Sequence, residues 1–303
     1  MLKPIPAADY NSIVPPNENY EYFWRSSEHP FALRPGSFAW SNAAWCADAA
    51  LLAYFDKNRI EQKSRHVGFA KLTVLSEGNT QCFIAQTEQF AIVAFRGTTL
   101  LKPGVNLRWS DLRGSADATL DAFLDVLTDA NIVPREDVHS GFQEALDLVW
   151  SKLQAEFPPV PIWFTGHSLG GALAVLAADR QQKQNGRVGG VYTFGCPVIG
   201  GQRFQNNFAL TDRTFRFVNN NDWLPKLEAV YQHIGQVRYI TRQGEMSHEI
   251  SRQDQIEGAL THGLNVVKNW ARLKSNLIPS DSLCDHAPIY YATHLWNYYV
   301  QHL

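Results

Sequence analysis

A serine between two glycines, where an apolar segment gives way to small residues, constrains this chain more than any other feature. Residues 164–175 read Phe-Thr-Gly-His-Ser-Leu-Gly-Gly-Ala-Leu-Ala-Val. In a Gly-X-Ser-X-Gly turn the serine occupies a strained strand-to-helix connection that only small neighbours tolerate. The sequence therefore predicts a nucleophile elbow made of Gly166, His167 and Gly170 around Ser168, with Ser168 as the nucleophile.

The flanking residues predict the strand and the helix that such a turn requires. Residues 160–164 form a compact apolar run, typical of a buried parallel strand. Residues 172–178 are rich in alanine and leucine, which is typical of a helix packed closely on a sheet. The pentapeptide alone would also fit a purely structural Gly-Ser turn, because short patterns recur by chance. The strand and the helix favour the nucleophile.

Composition favours one large folded catalytic domain. The 303 residues are 45% hydrophobic and 18% charged, which is enough apolar material for a sizeable core. The net charge of -2 without a cluster of Lys and Arg argues against a nucleic-acid partner. No internal segment resembles a linker, so we predict a proline-rich, extended N-terminal arm over residues 1–36 and a single domain over residues 37–303.

The N-terminal residues lack the apolar segment of a signal peptide, and no window approaches the length of a membrane span. We expect a soluble chain that is cytoplasmic, exported without a signal, or separated from an earlier leader. Metal and nucleotide motifs are absent from the sequence, so we expect no metal and no cofactor. Four widely spaced cysteines leave both free thiols and one disulfide open; they are Cys46, Cys82, Cys196 and Cys284.

Strands and helices are predicted to alternate through most of the chain. The predicted elements are helices at 41–55, 201–210, 256–273 and 289–300 and strands at 67–75, 81–86, 90–95, 191–195, 214–218 and 237–241. Ser41 is the predicted cap of the first helix. This order predicts an α/β fold with a largely parallel sheet, in which active groups gather beyond the carboxyl ends of the strands.

A serine becomes nucleophilic when a histidine removes its proton and a carboxylate holds that histidine. In this architecture the acid follows the serine and the histidine follows the acid. Asp222 lies directly after a strand in a run of asparagines, so it is the predicted acid, with an ordinary Asx-turn as the alternative. Asp212 precedes that strand and Asp254 resembles a helix cap, so both are less well placed.

Six histidines follow Asp222, and position alone does not decide among them; they are His233, His248, His262, His286, His294 and His302. His262 and His294 fall in predicted helices, and His302 is almost at the end of the chain. His286 stands in the turn before the last helix, where a loop can bring an imidazole to the sheet edge. This position favours His286 as the base.

Attack of a serine on a carbonyl group also needs two hydrogen-bond donors for the oxyanion that forms. One is the backbone N–H of Leu169, directly after the nucleophile. The other is predicted at Thr98, which follows the third strand and offers an N–H and a hydroxyl. Arg96 fits a structural ion pair better than a catalytic role.

Six segments, in the same order along the chain, resemble those of class 3 lipases, the fungal triacylglycerol lipase type. These segments are 95–98, 138–142, 165–171, 192–197, 221–225 and 285–286. The resemblance spans roughly residues 40–300 and implies an α/β-hydrolase fold. It places the nucleophile at Ser168, the acid at Asp222 and the base at His286, with Thr98 and Leu169 as oxyanion donors. His139, His167 and His233 then match non-catalytic positions.

The chain departs from that family in an insertion-like stretch over residues 100–120. We interpret it as an enlarged lid, with Leu107, Trp109 and Leu112 as its apolar residues, although a plain surface excursion also fits. Trp223 stands where the family more often has an aliphatic residue, a difference that bears on the shape of the acyl pocket.

The resemblance implies a serine hydrolase that cleaves carboxylic esters of lipids, with acylglycerols as the expected substrates. A phospholipase A1 would share every catalytic residue, and a feruloyl-esterase-like activity is a weaker alternative. A lipase-like interaction protein without catalysis is the alternative from another class. The expected partners are a lipid or small ester substrate and, transiently, a lipid interface.

Overall fold

Alternating apolar side chains place a β-sheet between two layers of helices. The computed structural model describes residues 2–98, 138–222, 224–226, 233–249 and 281–303. In one central strand Ala91, Val93 and Phe95 join one apolar cluster, whereas Ile92 and Ala94 join the other. Because neighbouring residues of a strand point to opposite faces, both faces of the sheet are buried.

In the described part of the chain the sheet has eight strands, which lie side by side in their order along the sequence. They are β1 Lys71–Glu77, β2 Thr80–Gln86, β3 Ala91–Phe95, β4 Ile162–His167, β5 Val188–Phe194, β6 Thr214–Asn219, β7 Gln236–Ile240 and β8 Met246–Ser247. Strands β3 to β7 are parallel, and the pairs β1–β2, β2–β3 and β7–β8 are antiparallel. The predicted, mostly parallel sheet of an α/β-hydrolase fold is confirmed.

Eight helices flank the sheet in the same described residues. They are α1 Tyr10–Ile13, α2 Trp40–Leu52, α3 Lys57–Ser64, α4 Ser140–Ala155, α5 Leu169–Lys183, α6 Gln202–Asn207, α7 Asp281–His286 and α8 Pro288–Gln301. The predicted cap of α2 was wrong, because the helix begins one residue before Ser41 and its N-cap is Ala39. The helix predicted at 256–273 and the lid predicted at 100–120, with Leu107, Trp109 and Leu112, lie outside the described residues.

The first 36 residues, expected as an extended arm, contain α1 and several turns. Tyr22, Phe23 and Phe31 are buried in the apolar cluster that also includes α2 and α8. Phe23 is fully buried, and burying such a side chain contributes about 1.5–3 kcal/mol. This segment therefore supplies part of the core on one face of the sheet.

The register of the parallel strands brings several loops to one edge. Phe95 pairs with Gly166, His167 with Phe194, and Asn219 with Ile240. The carboxyl ends of β3, β4 and β6 are therefore level, so the residues that follow them gather at the same edge of the sheet.

All four cysteines are buried, free thiols. Burial raises the pKa of the Cys82 and Cys196 thiols to about 12, so both stay protonated at neutral pH. Of the two alternatives that the sequence left open, the structure supports free thiols. Within the described residues no helix has both the length and the apolar character needed to cross a bilayer.

Candidate active site

Ser168 occupies the tight turn between β4 and α5. Its backbone has φ 56° and ψ -128°, a left-handed conformation that is strained for any residue other than glycine. The Ser168 N–H donates to Phe194 O at 2.9 Å, and the Gly171 N–H donates to Ser168 O at 2.9 Å. These two bonds hold the strained turn, whose geometry is that of a nucleophile elbow.

Glycine is required at the turn because two backbone segments touch there. A Cβ atom at Gly166 would lie 2.1 Å from the carbonyl oxygen of Gly170. A Cβ atom at Gly170 would likewise lie 2.2 Å from the carbonyl oxygen of Phe95, so no side chain fits at either glycine beside Ser168.

Asp222 and His286 form a direct contact beside this turn. His286 Nδ1 lies 3.0 Å from Oδ1 and 2.9 Å from Oδ2 of Asp222. The carboxylate is fully buried, and it also accepts bonds from the Tyr291 hydroxyl at 2.6 Å and the Leu224 N–H at 3.1 Å. Four contacts from three residues therefore hold the carboxylate in place, and it orients the imidazole through Nδ1.

His286 reaches this position because it lies at a break between two helices. His286 is the last residue of α7, and Pro288 is the first residue of α8. Proline is favoured at the first position of a helix, where its missing N–H costs nothing. Tyr291 lies one turn further along α8, so the same helix positions both the histidine loop and the hydroxyl that bonds Asp222.

His167 links this histidine loop to the turn that follows α2. Its Nε2 lies 2.6 Å from His286 O, and its Nδ1 lies 2.8 Å from the Tyr54 hydroxyl. A carbonyl only accepts, so Nε2 carries the proton and Nδ1 accepts from the tyrosine. Burial, with the neighbouring His286 ring, holds the pKa of His167 well below its ordinary value of 6.5, so this ring is neutral.

The other histidine candidates in the described part of the chain lie elsewhere. His233 Nε2 lies 2.7 Å from Pro225 O, and burial lowers the pKa of this ring to about 3. His248 is exposed, and His294 and His302 belong to α8 and its C-terminal end. Among the histidines in the described ranges, only His286 bonds Asp222.

Asp212, the one rejected acid that the structure describes, is also separate from the site. Asp212 lies in the short turn before β6, at the opposite end of that strand from Asp222. Asp254 and His262 are outside the described residues. The structure thus brings together the serine, the acid and the base that the sequence singled out.

The predicted oxyanion donors lie on the same edge of the sheet. Thr98 follows β3 and is half-buried, and Leu169 is the first residue of α5. Helix N-termini present free N–H groups and a positive partial charge, which favours an anion next to Ser168. Arg96 was expected in an ion pair; among the described residues its guanidinium donates to Gln81 Oε1 at 3.2 Å and Asn79 O at 3.0 Å.

Within the described ranges Ser168 Oγ forms no hydrogen bond with His286, a bond that in catalytic sites often tightens only in the transition-state complex. In the same part of the chain no group of three or more His, Cys, Asp or Glu residues could hold a metal ion.

Sequence reasoning missed Tyr54, Tyr291 and Asp285, which hold these groups in place. Their signal in the sequence is weak, because a tyrosine in an apolar helix fits a buried core position equally well. Asp285 was part of a recognised segment but had no role assigned to it.

Comparison with known proteins supports this reading of the fold. The solved lipase from Rhizopus microsporus var. chinensis superimposes with a TM-score of 0.51 at 18% sequence identity, covering 94% of this chain and 96% of that chain. At this identity the similarity shows a shared fold.

Curated relatives match parts of the chain. A secreted mono- and diacylglycerol lipase of Malassezia restricta is 34% identical over 103 residues, which are 31% of this chain and 34% of that protein. A lipase of Rhizomucor miehei is 26% identical over 197 residues, 60% of this chain and 50% of that protein. The match thus spans from about a third to half of these relatives' length.

The family model described as lipase (class 3) matches residues 92–232, a range that contains the elbow, Thr98 and Asp222. The sequence motifs and the matched relatives agree with this result: over this range the chain is similar to class 3 lipases.

Proposed function

We propose that this chain is a serine esterase that hydrolyses carboxylic esters of lipids, with acylglycerols as its substrates. The observation that carries the proposal is the contact between the buried Asp222 carboxylate and His286 Nδ1, beside the strained Ser168 turn. Relatives named as lipases of mono- and diacylglycerols and of triacylglycerols support the substrate class.

The proposed reaction has two stages. His286 Nε2 takes the proton of Ser168 as Oγ bonds to the ester carbonyl carbon, and Leu169 and Thr98 donate to the resulting oxyanion. When the ester C–O bond breaks, His286 returns that proton to the departing alkoxide. Water then attacks the acyl-enzyme, His286 takes and returns a proton again, and the fatty acid leaves Ser168 free.

Asp222 stabilises the imidazolium that forms in both stages. Because Tyr291 and Leu224 already bond the carboxylate, it needs no reorganisation as the charge develops.

A fluorophosphonate probe tests the nucleophile. The adduct, mapped by mass spectrometry, should lie on Ser168, and Ser168→Ala should lose both labelling and hydrolysis of p-nitrophenyl esters. The matched control is Ser37→Ala, an exposed serine directly after the arm, which should behave as the native protein does. A label on another residue, or an active Ser168→Ala, would contradict the proposal.

A panel of lipid substrates tests the proposed substrate class. Release of fatty acid from tri-, di- and monoacylglycerols, with little release from a diacyl phosphatidylcholine, is the expected result. Preference for the phospholipid would instead identify a phospholipase A1, which would use the same residues.

We also propose that residues 100–120 form a lid and that the protein contacts a lipid interface transiently. If residues 100–120 cover Ser168 in water, an interface should favour the open form, and activity should rise abruptly near the solubility limit of an ester. Replacing Trp109 and Leu112 with serine should flatten that rise and spare a soluble ester. A smooth saturation curve in the native protein would argue for an open site.

A further inference from the structure

The side chain of Asp285, which has no role in the proposed reaction, connects the two segments that carry Asp222 and His286. Its Oδ2 accepts from Asn220 Nδ2 at 2.9 Å and from the Asn221 N–H at 3.1 Å.

The backbone of Asp285 adds a third bond between the same segments. Its carbonyl oxygen accepts from Asn219 Nδ2 at 3.0 Å. Each of the three residues that lead into Asp222 is therefore bonded to the single residue that precedes His286.

The turn held in this way is strained. Asn220 has φ 37°, in the left-handed region that non-glycine residues rarely adopt. Such conformations persist only where the surroundings over-determine them. Asn220 is also held from the β7 side, since its N–H donates to Ile240 O at 2.7 Å and its carbonyl accepts from the Tyr239 hydroxyl at 3.2 Å. Asp285 supplies the restraint on the opposite side, where His286 lies.

We propose that Asp285 is a positioning residue that fixes the Asn219–Asp222 turn against the end of α7 and thereby sets the contact between Asp222 and His286. The inference rests on the proposed serine esterase function. The two partners lie 64 residues apart in sequence, so their distance depends on such tertiary bonds. A misplacement of about 1 Å can cost about 10²-fold in rate.

The test compares three variants of the whole chain. Asp285→Ala removes the acceptor, Asp285→Asn keeps a side-chain oxygen at the same place, and Asp212→Ala removes an exposed carboxylate at the other end of β6. The first should lower kcat for a soluble p-nitrophenyl ester about 10²-fold with KM nearly unchanged. The other two should stay within about threefold of the native rate, a difference too small to indicate lost positioning.

A second readout separates positioning from general stability. The downfield proton resonance of His286 Nδ1–H reports its bond to Asp222, and it should weaken or shift in Asp285→Ala and persist in Asp285→Asn. If Asp285→Ala does not fold, Asp285→Ser replaces it, because its shorter side chain keeps a hydroxyl oxygen. Its kcat and its His286 Nδ1–H resonance are then measured in the same way.

The outcomes separate the inference from the function beneath it. If the native protein hydrolyses esters and labels at Ser168 while Asp285→Ala keeps both its rate and its resonance, the positioning role is wrong. Equal losses in Asp285→Ala and Asp285→Asn would also overturn it, because the oxygen acceptor would then be immaterial. A native protein inactive toward esters and fluorophosphonate would refute the proposed function itself.

Discussion

His167 Nε2 lies 2.6 Å from the backbone carbonyl oxygen of His286, so the residue directly before the nucleophile holds the loop of the proposed base. The other nitrogen of the ring accepts from Tyr54, which follows α2. One neutral imidazole thus joins the elbow, the loop of the proposed base and the turn that follows α2.

His167→Ala should lower kcat, because it removes the donor to His286 O and the acceptor of the Tyr54 hydroxyl. The expected loss of stability is about 1–3 kcal/mol for each group left unsatisfied. His167→Gln, whose amide can both donate and accept, should recover part of the loss. Steady-state kinetics and urea unfolding of the two variants check this, and equal activity in both would contradict it.

His167 should also make stability depend on pH. Its folded pKa lies well below 6.5, so at pH values below 6.5 the unfolded chain binds a proton that the folded chain does not. This contribution to stability is complete above pH 6.5 and is lost on acidification. The free energy of unfolding should therefore fall less steeply below pH 6.5 in His167→Gln than in the native protein, whereas the exposed His302→Gln control should follow the native curve.

Tyr291→Phe should weaken the acid. The hydroxyl donates to Asp222 Oδ2 at 2.6 Å and accepts from the Asn219 N–H at 3.0 Å, so its loss leaves both partners less satisfied. We expect a drop in kcat of about tenfold and a loss of about 1–3 kcal/mol in stability. Tyr290→Phe is the matched control, because its hydroxyl bonds Pro6 O on the arm. A similar kcat in both variants would show that Asp222 does not depend on Tyr291.

Gly195→Ala should disrupt the acid–base contact directly. Gly195 has φ 58°, and an added Cβ would lie 2.7 Å from Asp222 Oδ2 and 3.0 Å from His286 Nδ1. Separating these groups should lower kcat about 10²-fold. Gly244→Ala also places a side chain at positive φ, but next to His294, so it should lower stability and spare kcat. If kcat falls equally in the two variants, the loss comes from backbone strain and not from separation of Asp222 and His286.

A buried ion pair should tie the arm to the domain. Lys3 Nζ lies 3.7 Å from the fully buried carboxylate of Asp48 and 3.9 Å from the centre of the Tyr20 ring. Asp48→Ala leaves the cation without its partner and should cost about 3–5 kcal/mol. Lys57→Met, which breaks an exposed pair on α3, should cost about 0–1 kcal/mol in urea unfolding.

The same lysine gives a second pH signature. Burial lowers the pKa of Lys3 to about 8, whereas its ordinary value is 10.5. Between these values the unfolded chain binds more protons than the folded one, so this group adds stability as pH rises through the interval. Unfolding measured at pH 8 and pH 10 should show a more positive slope in the native protein than in Lys3→Met. Parallel slopes would mean that Lys3 titrates normally.

Local chemistry explains how much the sequence could predict. The elbow rests on glycines that a tight backbone approach demands, and the apolar runs of β3 and β4 reflect burial on both faces. Such features involve residues close together in the chain, so Ser168 and the strand before Asp222 could be located by pattern. Helix ends were less certain, because they fray and vary by one or two residues: Ser41 resembled a cap, yet the helix starts at Trp40 with Ala39 as its N-cap.

The sequence by itself determined the nucleophile turn, the parallel order of the strands and a short set of acids and bases, since each depends on spacing and local propensity. Only the tertiary structure decided that His286 bonds Asp222, that His167 holds the carbonyl of His286, and that Tyr291 and Asp285 fix the acid. These contacts join residues up to 119 positions apart. Their geometry follows from how helices and loops pack on the sheet, which no local pattern in the chain encodes.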